Sequence, residues 1–162
     1  MRGLLRRRRA NRKALLVQVL GQARAAQYRV RYWIARLEAE GGDRGVLETL
    51  HALDYILEFI ALRVETILTL WGAVQGMERL PLEVVREASR SFQGIPPEIA
   101  ASLSSIANLL AEASMAPGEP SFIIETSGAR RSLEAEDVIR AAVEEARRRV
   151  ASKTGQGEVQ EA

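Results

Sequence analysis

The chain predicts an all-α fold: a long antiparallel helical hairpin, two short helices and a C-terminal amphipathic helix. Three observations carry this. Two long segments place apolar residues at alternating steps of three and four. Glycine and proline fall in a few clusters that punctuate those segments. The apolar fraction is 47% while aromatics make only 5%, so a core of Leu, Ile, Val and Ala is expected. The 162 residues suit a single domain.

The first arm of the hairpin carries Leu16, Val19, Ala23, Ala26, Val30, Trp33 and Leu37 on one helical face. Gly41 and Gly42 end it, and Asp43 can cap the next helix. The second arm repeats Val46, Leu50, Leu53, Leu57, Ile60, Val64, Ile67, Trp71 and Val74. Further apolar residues, Ile56, Phe59, Leu62, Leu70 and Met77, widen this stripe to a second face, which needs another neighbour. Carried to residue 78, the second arm would be roughly 50 Å long, and the pair would form an elongated rod.

Pro81 opens a short helix over 81–93, with Leu82, Val85 and Phe92 on one side and Gly94 ending it. Pro96 and Pro97 start another over 97–113, because proline is tolerated in a first turn. Its stripe is Ile99, Leu103, Ile106 and Leu110. Pro117, Gly118, Pro120 and Gly128 mark a linker over 114–131. Within it, Phe122, Ile123 and Ile124 read as a segment tucked against the hairpin, with a docking strand as the sharper alternative. Ser132 can cap a last helix over 132–152, striped by Ile139, Val143, Ala146 and Val150. Residues 153–162 read as a disordered tail.

Charge is unevenly distributed. Residues 1–37 carry eleven basic side chains and no acid, a charge of +11, against −9 for the remainder. Such asymmetry points to an anionic partner, or to acidic surface on the chain itself or a neighbour. The N-terminal arm, residues 1–13, holds the densest cluster: Arg2, Leu4, Leu5, Arg6, Arg7, Arg8, Arg9, Arg12 and Lys13. Two leucines beside a basic cluster suit a segment lying in a membrane interface. Basic residues followed by the apolar run 14–23 also mimic a signal peptide. Gln18 and Gln22 interrupt that run, and the helical periodicity continues past it, so the segment reads as part of the fold. No apolar stretch is long enough to span a bilayer.

Catalysis has little to work with, and no enzyme, cofactor or metal is expected. The absence of cysteine excludes disulfides, thiolate catalysis and Cys-ligated zinc. His51 is the single histidine, so the Glu48–His51 pair cannot complete a di-iron site. No glycine-rich phosphate loop is present. Gly72 and Gly76 share a G-x-x-x-G spacing, which in a non-spanning helix means close packing or flexibility.

Two stretches resemble the archaeal ESCRT-III-like cell-division proteins of the CdvB type. Residues 57–66, LEFIALRVET, are similar to the "LE-x-x-x-LRLET" stretch of their second helix, and 95–110, IPPEIAASLSSIANLL, to their "P-E-x-A-x-x-L-x-x-I-N-x-L-L" helix. The segment 136–150 resembles their last helix, and residues 1–113 would form the ESCRT-III-like core. The resemblance implies a cytoplasmic, peripheral protein on the inner face of the cell membrane. It implies polymerisation with itself, attachment to anionic lipids, and partnership with paralogous ESCRT-III subunits and a Vps4-type AAA ATPase. Ile56, Phe59, Leu62, Leu70 and Met77 then become the expected polymer interface. Glu136, Ile139, Val143, Glu144, Glu145 and Arg147 would form an autoinhibitory or ATPase-docking helix, although Ala142 and Ala146 stand where larger residues are expected. The rival is a basic-armed helical nucleic-acid-binding or scaffold protein. The lack of aromatics among Arg6–Lys13 and of any base-reading fold argues against nucleic acid.

Overall fold

The computed structural model describes residues 2–71, 77–114 and 124–160, with side chains excepted at 5, 6, 8, 9, 124–133 and 156–160. Among these residues it is all-helical and contains no strand. Five helices follow one another: α1 (Arg2–Glu40), α2 (Arg44–Thr69), α3 (Arg79–Ser91), α4 (Pro97–Ser114) and α5 (Ile124–Gln160).

α1 and α2 pair antiparallel. Arg31 meets Asp54, while Arg24, further back along α1, meets Glu58 and Glu65, further along α2. Their turn is built by glycine. Gly41 adopts a left-handed φ of 69°, and the Gly42 amide donates to the Leu37 carbonyl at 2.7 Å, closing the helix end. A Cβ on Gly42 would stand 3.0 Å from the Leu37 side chain, so the turn also requires a small residue for space. Asp43 then caps α2, accepting from the Gly45 amide.

α1 buries Leu16, Val19, Ala23, Ala26 and Val30 as expected, then Ile34, with Trp33 and Leu37 half-buried at the margin. α2 is buried on more than one face, from Leu50 through Ile67. The reason is its neighbourhood: α1, α3 and α5 all pack against it. α4 buries Ile99, Leu103, Ile106 and Leu110, and α3 buries Leu82, Val84, Val85 and Ala88. Around the bundle the neighbours run α1, α2, α5, α3, α4 and back to α1.

Five expectations are corrected. The basic residues 2–13 form no separate arm, because α1 is one helix from Arg2. α2 ends at Thr69 instead of residue 78, giving a second arm of roughly 39 Å. Thr66 and Thr69 bond back to the carbonyls of Leu62 and Glu65, which weakens helix continuation just before the poor helix former Gly72. Val74, Gly72 and Gly76 lie outside the described residues. α5 starts at Ile124, so Ser132 is inside the helix and not its cap, and the expected linker is helical from residue 124. Phe122 and Ile123 lie outside the described residues. Finally, α5 runs on to Gln160 past the expected tail boundary, held by Lys153 Nζ against Glu38 at 2.6 Å. With α3, α4 and α5 packed along the hairpin, the molecule is a bundle and not a bare rod.

Candidate functional site

The N-terminal turns of α1 gather the densest positive charge. Arg2, Leu4, Arg7 and Lys13 are exposed, Leu4 at 64%. Positions 2, 6, 9 and 13 recur at steps of four and three, so they lie along one line of the helix. The side chains of Leu5, Arg6, Arg8 and Arg9 lie outside the description. α1 has no acid in its first turn. Basic residues there oppose the positive end of the helix dipole, so this end gains from an external anion.

Arg12 departs from its neighbours. Its guanidinium pairs with Glu78, whose side chain is only 5% exposed, and lies 5.7 Å from the centre of the Trp71 ring. It is therefore a tie between α1 and the α2–α3 junction, and not part of an open basic surface.

Further along α1 the arginines are answered within the chain. Arg24 reaches Glu58 at 2.7 Å and Glu65 at 3.1 Å, Arg31 reaches Asp54 at 3.0 Å, Arg36 reaches Glu40 at 3.1 Å, and Arg29 donates to Ser102. Gln27 donates to Glu58 and, with Arg24, holds that carboxyl below the usual glutamate range.

The residues expected to form a polymer interface divide. Ile56 is fully buried in the shared core. Phe59 and Met77 are half-buried, while Leu62 and Leu70 are exposed. A sister subunit can touch the last two without rearrangement, but reaches Ile56 only if the bundle opens.

α5 lies against α2 and α3. Ile139 is buried and Val143 half-buried, with Ala135, Ala142, Ala146 and Val150 completing the inward face. Glu136, Glu144 and Arg147 point to solvent, and Glu145 pairs with Arg149 at 3.1 Å. Arg149 also meets Asp54 at 3.4 Å, and Lys153 meets Glu38, so two cations fasten α5 to the hairpin. Sequence reading missed both ties. Arg149 is not singled out by the sequence, and Lys153 falls in the expected disordered tail.

His51 sits at this junction, 6% exposed, with neither ring nitrogen hydrogen-bonded. Its Nε2 is 3.5 Å from a Glu38 oxygen that Lys153 already engages. Burial, then Lys153, push its pKa below the ordinary histidine value. No group of three or more potential metal ligands occurs among the described residues. An open groove of about 550 Å³ between α1 and α4 is lined by Gln22, Arg29, Glu98 and Ser102 and buries no titratable group. No helix among the described residues is long and apolar enough to cross a membrane. Compared with protein families, curated proteins and solved structures, the chain matches none.

Proposed function

We propose that this chain is a membrane-associated, polymer-forming subunit that remodels or constricts membrane in cell division or scission, as the archaeal ESCRT-III-like proteins do. The observation that carries this is the exposed end of α1. No acid among the described residues pairs with Arg2, Arg7 or Lys13, and Leu4 stands free beside them. Each basic residue near an anionic leaflet contributes about 1 kcal/mol, and burying a leucine roughly 1.5–3 kcal/mol at most. Many subunits in one polymer multiply that attachment.

Assembly then uses the exposed apolar residues Leu62 on α2 and Leu70 just after it, extended to Phe59, Met77 and Ile56 once α5 leaves. In this reading α5 restrains assembly by covering α2 and α3. Paralogous subunits and a Vps4-type ATPase are the partners that such a cycle implies. The location is the inner face of the cell membrane.

Co-sedimentation with anionic vesicles, neutral vesicles and duplex DNA tests the reading. Binding to anionic vesicles alone, lost at high salt, is expected. Preference for DNA would replace it with the nucleic-acid reading. Negative-stain microscopy of the vesicle samples should show filaments or tubes. Removing residues 132–162 should promote assembly, and unchanged sedimentation of the shortened chain would sink the restraining role of α5.

A further inference from the structure

The end of α5 is held to the hairpin by charge more than by bulk. Of its described side chains, Ala135, Ile139, Ala142, Ala146 and Val150 are buried, and three of these five are alanine. Alanine removes little apolar surface from water, so the ties at the helix end weigh heavily. Lys153 Nζ reaches Glu38 of α1 at 2.6 Å, and Arg149 reaches Asp54 of α2 at 3.4 Å.

His51 of α2 lies beside these ties, buried and with both ring nitrogens unpartnered. Folded proteins leave few polar atoms in that state, because the hydrogen bond given up to water is not replaced. The charges around the ring are divided by element. Lys153 and Arg149 both come from α5 and oppose a proton on the ring, whereas Glu38 comes from α1 and favours one. On its own helix, Glu48 is engaged by Arg44, and Asp54 by Arg31 and Arg149. Departure of α5 therefore takes away both opposing cations, while the favouring acid stays with the hairpin. Glu38 is the shared partner: its Oε1 engages Lys153, and His51 Nε2 stands 3.5 Å from the same oxygen. An open cavity of about 220 Å³ beside this pair, lined also by Leu47 and Val150, brings solvent to it.

We infer that His51 is a proton-operated latch: once charged, it takes Glu38 over from Lys153, and the second half of α5 leaves the hairpin. The exchange strands no acid. Glu38 gains the imidazolium, and Asp54 keeps Arg31 at 3.0 Å. His51 is the single histidine, and histidine is the side chain whose ordinary pKa falls between pH 5 and 8, so mild acid acts through this residue. A consequence for assembly rests on the membrane reading above, whereas the latch itself does not.

The chain has no cysteine, so a single introduced thiol reports whether α5 is docked. Ala146→Cys lies on the inward face of α5, where the native residue is 1% exposed, and Ser152→Cys on its open side gives the reference rate at each pH. The reagent is dithiodipyridine, which reacts with thiols in mild acid. Labelling of Ala146→Cys, relative to the reference, should be slow at pH 7.5. It should rise by up to about 30-fold at pH 5, the limit for one proton on a ring that titrates at its ordinary 6.5 when released. Adding His51→Asn should hold the ratio level. Adding Lys153→Gln should raise it already at pH 7.5 and shrink the further rise. Ala23→Cys, buried in α1 where α2 and α4 pack, should label far more slowly at both pH values, which separates release from unfolding. A ratio that ignores pH, an undiminished rise with His51→Asn, or equal rates at Ala146→Cys and Ala23→Cys overturns the inference. Where His51→Asn fails to dock at pH 7.5, Lys153→Gln decides, and an undiminished rise in that chain overturns it too. The labelling contains no lipid and needs no polymer, so its failure is distinct from a failure of the membrane reading.

Discussion

Two stretches of the same helix, both rich in arginine, do different work. Between Arg24 and Arg36 most arginines have an acid from α1 or α2, so the charge fixes register and orientation. Before Lys13, Arg12 alone of the described basic residues meets an acid, Glu78 at the start of α3. Composition makes the stretches look alike, and the difference lies in what the fold brings opposite them. Arginine facing an acid is structure, whereas arginine facing water at the positive end of a helix is free to bind.

The largest effect should come from the exception. Replacing Arg12 by alanine leaves Glu78 buried without its partner, and about 3 kcal/mol should be lost in urea unfolding, as for a broken buried pair. Arg7→Ala, only turns away, should leave the unfolding midpoint in place. Equal behaviour of the two variants would dissolve the distinction. Next is vesicle binding. Changing Arg2, Arg7 and Lys13 together to serine should weaken binding to anionic vesicles by up to about 100-fold, since three charges contribute about 1 kcal/mol each. Arg24→Gln should leave vesicle binding unchanged, although it removes a charge from the same helix.

A pH dependence sharpens the comparison from the other end of the hairpin. His51 is faced by Glu38 from α1, and by Lys153 and Arg149 from α5. Its pKa is lower in the folded chain than the ordinary 6.5, so protonation favours the unfolded or undocked state. The stability it contributes is full above that ordinary value and declines as pH falls below it. Melting temperatures measured between pH 7.5 and 5 should fall more for the native chain than for His51→Asn. The smallest effect is expected at Arg36, where both partners of an exposed pair lie one turn apart. Arg36→Ala should not shift the unfolding midpoint measurably.

Periodicity made α1 and α4 legible, because each buries a stripe whose spacing matches the helix. It identified the faces that pack but not their partners. That α5 lies on α2 and α3, or that Arg12 finds Glu78 across 66 residues, depends on tertiary arrangement and leaves no local pattern. The end of α2 was hidden because Trp71 and Val74 continue its stripe while Thr66 and Thr69 loosen the helix beneath it. The start of α5 was hidden by glycine and proline composition. Of the candidate site, the basic cluster was visible from charge alone. The division of α1 into answered and unanswered arginines needed the acids of α2 in place.

Arg12 also has a mechanical consequence. It sits at the inner edge of the open basic turns and grips the residue that precedes α3. A load applied at Leu4 or Arg7 travels down less than three helical turns before it meets that grip. It arrives at the start of α3 directly, bypassing the Gly41–Gly42 turn and the whole length of α2.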